Sequence, residues 1–137
     1  MRRVNRLNAK NKEEMIYTSY YGNHRNLPRN SIYIQISTTC PEHFHPSFFI
    51  KSVFPDWNTM IKPHKSGLIS DAEYTKRYRK KLDGNKEEIL KTMKAFDSSQ
   101  FQGRATIMLC YCKKGNFCHR NILREWLNEN GIECKEL

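Results

Sequence analysis

Ala105 to Tyr111 reads Ala-Thr-Ile-Met-Leu-Cys-Tyr, the most continuous apolar run in the chain. With no polar residue alternating through it, the run predicts a central strand buried on both faces. The rest of the chain has to supply what covers that strand.

Met15 to Tyr20 (Met-Ile-Tyr-Thr-Ser-Tyr) is β-branched and aromatic and ends at the turn signal Tyr21-Gly22-Asn23, which predicts a first strand. Ile32 to Ser37 alternates, with Ile32, Ile34 and Ile36 on one face and Tyr33, Gln35 and Ser37 on the other, and predicts a second. From Pro41 to Gly67 no period is sustained. Pro41, Pro46, Pro55 and Pro63 interrupt Phe44, Phe48, Phe49, Phe54 and Trp57, so this segment reads as an irregular lid or short helices. Ser70-Asp71-Ala72-Glu73 has the form of a capping box, and the helix after it, to about Leu82, carries Tyr74, Tyr78 and Leu82 on one stripe before Asp83-Gly84-Asn85 stops it. A second helix, from about Lys86 to Phe96, turns Ile89, Leu90, Met93 and Phe96 inward. A third, from about His119 to Asn130, does the same with Ile122, Leu123, Trp126 and Leu127 and stops at Asn130-Gly131. Ile132 to Lys135 reads as a short last strand.

The order β, β, α, α, β, α, β predicts an α/β domain: a mostly parallel sheet of about four or five strands flanked by helices, in two or three Rossmann-like layers. In such sheets sites form outside the carboxyl ends of the strands. Three of those ends are polar: Thr18-Ser19-Tyr20, Ser37-Thr38-Thr39 and Cys110-Tyr111-Cys112.

A length of 137 residues suits one such domain, which buries roughly two-thirds of its unfolded surface. Residues 1–14 read as a frayed basic arm and residues 15–137 as the domain. No stretch reaches the roughly 20 apolar residues of a membrane span, and no apolar segment behind the N-terminal basic residues suggests a signal peptide. Five cysteines, three of them between Cys110 and Cys118, make a disulfide framework a poor reading and reduced thiols in a cytoplasm a better one. The net charge is +10, concentrated in Arg2, Arg3, Arg6, Lys10 and Lys12 and again in Lys76, Arg77, Arg79, Lys80 and Lys81. That excess draws phosphates, on a nucleotide or on nucleic acid.

The densest chemistry lies between Cys110 and Arg120. A strand delivers Cys110 and Cys112 to one side, and a short Gly115 turn delivers Cys118, His119 and Arg120 to a helix N-terminus. The positive potential there favours an anion, and Arg120 adds a bidentate clamp. The same field lowers a thiol pKa, so Cys118 or Cys112 is a candidate thiolate. Cys110, Cys112, Cys118 and His119 are also four zinc-type ligands, although Cys-x-Cys-x5-Cys-His is not a standard finger spacing and the adjacency of Cys118 and His119 argues against one shared ion. The phosphatase loop and both glycine-rich phosphate loops are absent. His43 and His45 fit exposed or locally bonded loop positions better than ligands. Tyr74 and Tyr78 fit core positions with hydroxyls at a rim, and His24 and Arg25 follow the first strand within reach of a pocket anion.

Leu109-Cys110-Tyr111-Cys112 followed by Cys118-His119-Arg120 and an apolar helix resembles the Leu-Cys…Cys-His-Arg signature of the domain-of-unknown-function family numbered 488. Tyr17-Thr18-Ser19-Tyr20-Tyr21-Gly22, Ile34-Gln35-Ile36-Ser37 and the stretch from Gly67 through Glu73 and Tyr74 to Tyr78 resemble its smaller members as well. The family often has an acidic residue where Cys112 stands. The resemblance implies an α/β fold and a shared pocket, without naming a reaction.

These residues together suggest a small cytoplasmic domain that binds a phosphate-bearing small molecule or nucleic acid. The pocket would be lined by Ser19, Tyr20, Arg25, Ser37, Cys110 and Arg120. If it is an enzyme, a transferase or hydrolase, Cys118 or Cys112 is the nucleophile and His119 the proton carrier. No cofactor is required, and zinc is the one the residues could hold. Two alternatives stay open: a non-catalytic basic module that grips nucleic acid or protein, and a zinc-stabilised domain.

Overall fold

The apolar run becomes the middle of a sheet. In the computed structural model, which describes residues 16–96, 104–113 and 115–137, five parallel strands stand in the order β3-β2-β4-β1-β5. They are β1 (Ile16–Tyr20), β2 (Ile32–Gln35), β3 (Phe48–Phe49), β4 (Thr106–Cys110) and β5 (Lys135–Glu136). Every residue of β4 is buried, between β1 and β2 at its sides and packed residues above and below. The basic arm, residues 1–14, and the expected strand start at Met15 lie outside the described residues. No helix among the described residues is long and apolar enough to cross a membrane.

The helices are α1 (Lys62–Lys65), α2 (Asp71–Gly84), α3 (Lys86–Ala95) and α4 (His119–Glu129). The three long ones cover one face of the sheet, where Ile34, Met108, Tyr78, Leu82, Ile89, Met93, Leu123 and Trp126 form one core cluster. Each such fully buried apolar side chain contributes about 1.5–3 kcal/mol relative to exposure. The opposite face carries a smaller cluster of Tyr21, Leu27, Ala105, Ile107 and Leu109, closed by a single 3-10 turn over Tyr21–Asn26 and by Phe44.

Local differences from the sequence reading have local causes. The segment from Pro41 to Gly67 is short helices as expected, but it also contributes β3, a two-residue edge strand too short to show an alternation. Ser70 Oγ accepts the Glu73 amide at 3.1 Å, while the Glu73 carboxylate turns to Arg77 at 2.8 Å, so only half of the capping box forms. Helix α2 continues through Asp83 and Gly84 and ends at Asn85. Gly131, at φ +85°, closes α4 by letting the Ile132 amide reach the Leu127 carbonyl at 2.9 Å. That closure uses up the residues expected to start the last strand. Cys134 is then held on both backbone groups by the Asn128 side chain, and β5 begins at Lys135.

The topology places the site. After β2 the chain moves outward to β3, and after β4 it crosses through α4 to β5 on the other edge. Neighbouring strands whose connections leave in opposite directions open a crevice at their carboxyl ends. The crevice falls between Ser37–Thr39 and Cys110–Cys112.

Candidate thiol and histidine site

Cys110 ends β4, Cys118 caps α4, and His119 is that helix's first residue, all three buried. The Cys110 and Cys118 sulfurs are 2.9 Å apart, and Cys118 Sγ is 3.8 Å from His119 Nδ1. His119 Nε2 lies 2.8 Å from the Ile36 carbonyl, an acceptor only, so the proton sits on Nε2 and Nδ1 presents its lone pair to the thiols. Tyr78 packs edge-on to this ring at 5.6 Å. Burial is the main reason the imidazole pKa falls, to about 4, and the ring is neutral at neutral pH. Among the sulfurs, hydrogen bonding with Cys110 and then with Cys118 pushes the Cys112 thiol down, hydrogen bonding with Cys112 pushes Cys110 up, and hydrogen bonding with Cys110 and then with Cys112 pushes Cys118 up. Cys112 is the least buried of the three.

Arg120 turns the other way. Fully buried, it gives Nε and Nη2 to the Glu136 carboxylate at 3.0 Å, and from Nη1 it donates to Cys110 Sγ at 3.1 Å and to the Cys112 carbonyl. Burial disfavours its charge, but Glu136 and Cys110 outweigh that and its pKa is raised. Glu136 also receives Thr18 Oγ1 at 2.5 Å and Arg124 at 3.2 Å.

Above the thiols lies a cavity of about 410 Å³. Its floor is Cys110, Cys112, Cys118 and His119. Trp57, Tyr74, Tyr111 and Phe117 wall it, Ser37, Thr38 and Thr39 form one rim, and His64 and Lys65 the other. His64 bonds Asp71 at 2.6 Å and sits 5.0 Å, ring to ring, from both Tyr74 and Phe117. Lys65 Nζ lies 5.8 Å from the Trp57 ring centroid. Burial raises the Tyr74 phenol pKa, so its hydroxyl stays protonated. Concave, largely aromatic walls with a few convergent polar groups are the usual form of a small-molecule site.

The structure therefore brings together five of the residues singled out in the sequence: Ser37, Cys110, Cys112, Cys118 and His119. Four others lie outside the cavity lining. Ser19 points through the opposite face of the sheet, where it donates to the Leu137 carbonyl at 3.3 Å and accepts from Asn23 at 3.1 Å. Tyr20 lies beneath the Arg120 guanidinium, 5.4 Å from its ring centroid. Arg25 is exposed on the 3-10 turn. Arg120 is sealed behind the floor, its donors taken, so the cations that face the cavity come from elsewhere. Lys65 lines the cavity, with His64 beside it, from a helix of four residues that no periodicity could reveal. Glu136 was equally hidden, because only the displaced β5 brings it beside Arg120.

Three of these residues can hold a metal together: the ligating atoms of Cys110, Cys118 and His119 all lie within 4.8 Å of one another. The adjacency of Cys118 and His119, which counted against a shared ion in the sequence, is no obstacle in the fold. Extended backbone at Cys118 and helical backbone at His119 aim both side chains at one point.

A family model described as DUF488-N3a, Active DUF488-N3 subclade, matches residues 6–131. No curated protein and no solved structure matches the chain.

Proposed function

The chain belongs to the DUF488 family, and from that premise we propose that its cavity binds a phosphate-bearing, nucleotide-class ligand and carries out transfer or hydrolysis on it. The observation that carries this reading is the pairing of aromatic walls with a lysine and hydroxyls at the mouth of one cavity over a thiol and imidazole floor. Trp57, Tyr74 and Phe117 offer faces and edges to a planar base. Lys65 offers a phosphate its counter-charge, and the Thr38 and Thr39 hydroxyls offer it donors. Cys112, half-buried on the cavity side, is the thiol a bound ligand reaches first, and His119 stands behind it as the proton carrier. Arg120 serves as a positioning residue, tying the strand end of Cys110 and Cys112 to β5 through Glu136.

The test is direct because Trp126 is buried and Trp57 half-exposed, so ligand quenching reports Trp57. Titration with purine and pyrimidine mononucleotides is expected to quench saturably, and inorganic phosphate alone to bind far more weakly. Lys65→Glu should weaken nucleotide binding tenfold or more, an effect of about 1.4 kcal/mol or above. Binding of no mononucleotide, or equal binding by Lys65→Glu, removes the cavity from the reading. Salt-steep binding to any polyanion, unchanged in Lys65→Glu, would favour the basic-module alternative instead.

A further inference from the structure

We infer that Cys110, Cys118 and His119 form a binding site for a soft divalent ion of the zinc class, with its fourth position open to the cavity. The inference rests on the nucleotide reading for the use of the cavity and amends it at one residue: with the ion bound, His119 Nδ1 is a ligand and no longer a proton carrier.

The donor set comes first. Two thiolates and an imidazole select zinc over the hard cations, and three protein ligands with one open position is the arrangement of zinc sites that act on a substrate. In a tetrahedral zinc site, with sulfur at about 2.3 Å and nitrogen at about 2.0 Å, two sulfurs stand about 3.8 Å apart and sulfur and nitrogen about 3.5 Å. Cys118 Sγ and His119 Nδ1, at 3.8 Å, already match within a few tenths of an ångström. The Cys110 and Cys118 sulfurs, at 2.9 Å, need to part by about 0.9 Å to reach the tetrahedral spacing, within the reach of a side-chain rotation.

The surroundings orient each ligand. The Ile36 carbonyl fixes the His119 proton on Nε2 and leaves Nδ1 free to bind, the second-shell bond that ligating histidines commonly make. Arg120 Nη1 donates to Cys110 Sγ and so supports the thiolate form. Charge closes as well. Loading the ion releases two thiol protons to solvent; two thiolates, a neutral imidazole and a divalent cation then sum to zero, and Arg120 and Glu136 cancel beside them. Bare, the same pair of thiolates would be an uncompensated buried charge. Cys112 lies outside the set whose ligating atoms are mutually close, and its half-buried place on the cavity side leaves the fourth position to solvent or substrate.

The test uses the full chain, purified under reducing conditions, incubated with zinc and desalted, then analysed for metal per chain. A parallel sample takes cobalt(II). The expected result is about one zinc per chain, a cobalt spectrum with thiolate charge-transfer and tetrahedral bands, and retention of the metal by Cys112→Ser. Cys118→Ser and His119→Ala should each weaken metal binding tenfold or more, with the far-ultraviolet circular dichroism of the fold retained. Should those variants fail to fold, the wild-type cobalt spectrum decides alone, since it reports thiolate ligation without any substitution. A folded wild-type chain that takes up no metal, uptake without thiolate bands, uptake unchanged in Cys118→Ser, or loss of metal in Cys112→Ser would each overturn the inference. Mononucleotide quenching measured on the same samples keeps the two readings apart: binding without metal leaves the cavity reading standing and sinks only the metal.

Discussion

Cys118, His119 and Arg120 are consecutive, yet they serve two neighbourhoods of opposite character. The first two line a cavity, where their sulfur and ring nitrogen bond each other and Cys110. The third lies behind the cavity floor, in a closed network of Glu136, Thr18 and Arg124, and touches the thiols only through Nη1 on Cys110 Sγ. One helix N-terminus thus separates a place where chemistry can happen from one where every donor is already used. A contiguous motif in sequence is therefore no guide to a contiguous site, because strand and helix geometry distributes neighbours over different faces.

The sharpest way to break this comparison is to remove the acid from the closed network. Glu136→Gln leaves the Arg120 charge buried without its counter-ion, which should cost about 3–5 kcal/mol in urea unfolding. Any variant that stays folded should bind mononucleotides as the wild type does; a stability loss under about 1 kcal/mol would show that Arg120 is not held as described. The opposite face supplies a second contrast. Burial raises the Tyr21 phenol pKa to about 12, so its folded value stands above the unfolded value near 10. The neutral phenol therefore contributes stability that is fully present below pH 10 and lost as pH rises through about 12, roughly 3 kcal/mol in all. Tyr21→Phe should flatten that part of the stability profile, and an unchanged profile between pH 10 and 12 would place the loss elsewhere. The smallest effect belongs to the α2 cap: Ser70→Ala should cost about 1 kcal/mol by thermal unfolding without altering nucleotide affinity, whereas a large affinity loss would tie α2's start to the cavity.

What the sequence disclosed follows from range. The run from Ala105 to Tyr111 and the alternation of Ile32, Ile34 and Ile36 are local patterns of burial, and both became the strands they suggest. The stripe of Tyr74, Tyr78 and Leu82 likewise became the buried side of α2. The cavity floor was legible because Cys110, Cys112, Cys118 and His119 sit on a strand end and a helix start joined by one turn. Its walls were not. Trp57, His64 and Lys65 come from single turns among prolines, and Phe117 from the loop before α4, where no period exists to read. Strand alternation alone would have moved Ser19 to the other face from Cys110, since it stands beside Leu109 in the register. Arg120 needed long-range information: only β5, displaced by the Gly131 closure, shows that its charge is already spoken for.

The proposed function requires that ligands enter the cavity rather than settle on the basic surface. Amide chemical-shift mapping with a saturating mononucleotide tests it most directly. The largest shifts are expected at Thr38, Thr39, Lys65, Tyr74 and Cys112, with α2's outward residues Lys76 and Lys80 nearly still. Shifts concentrated on Lys76 and Lys80, with Thr38 and Cys112 unmoved, would contradict it.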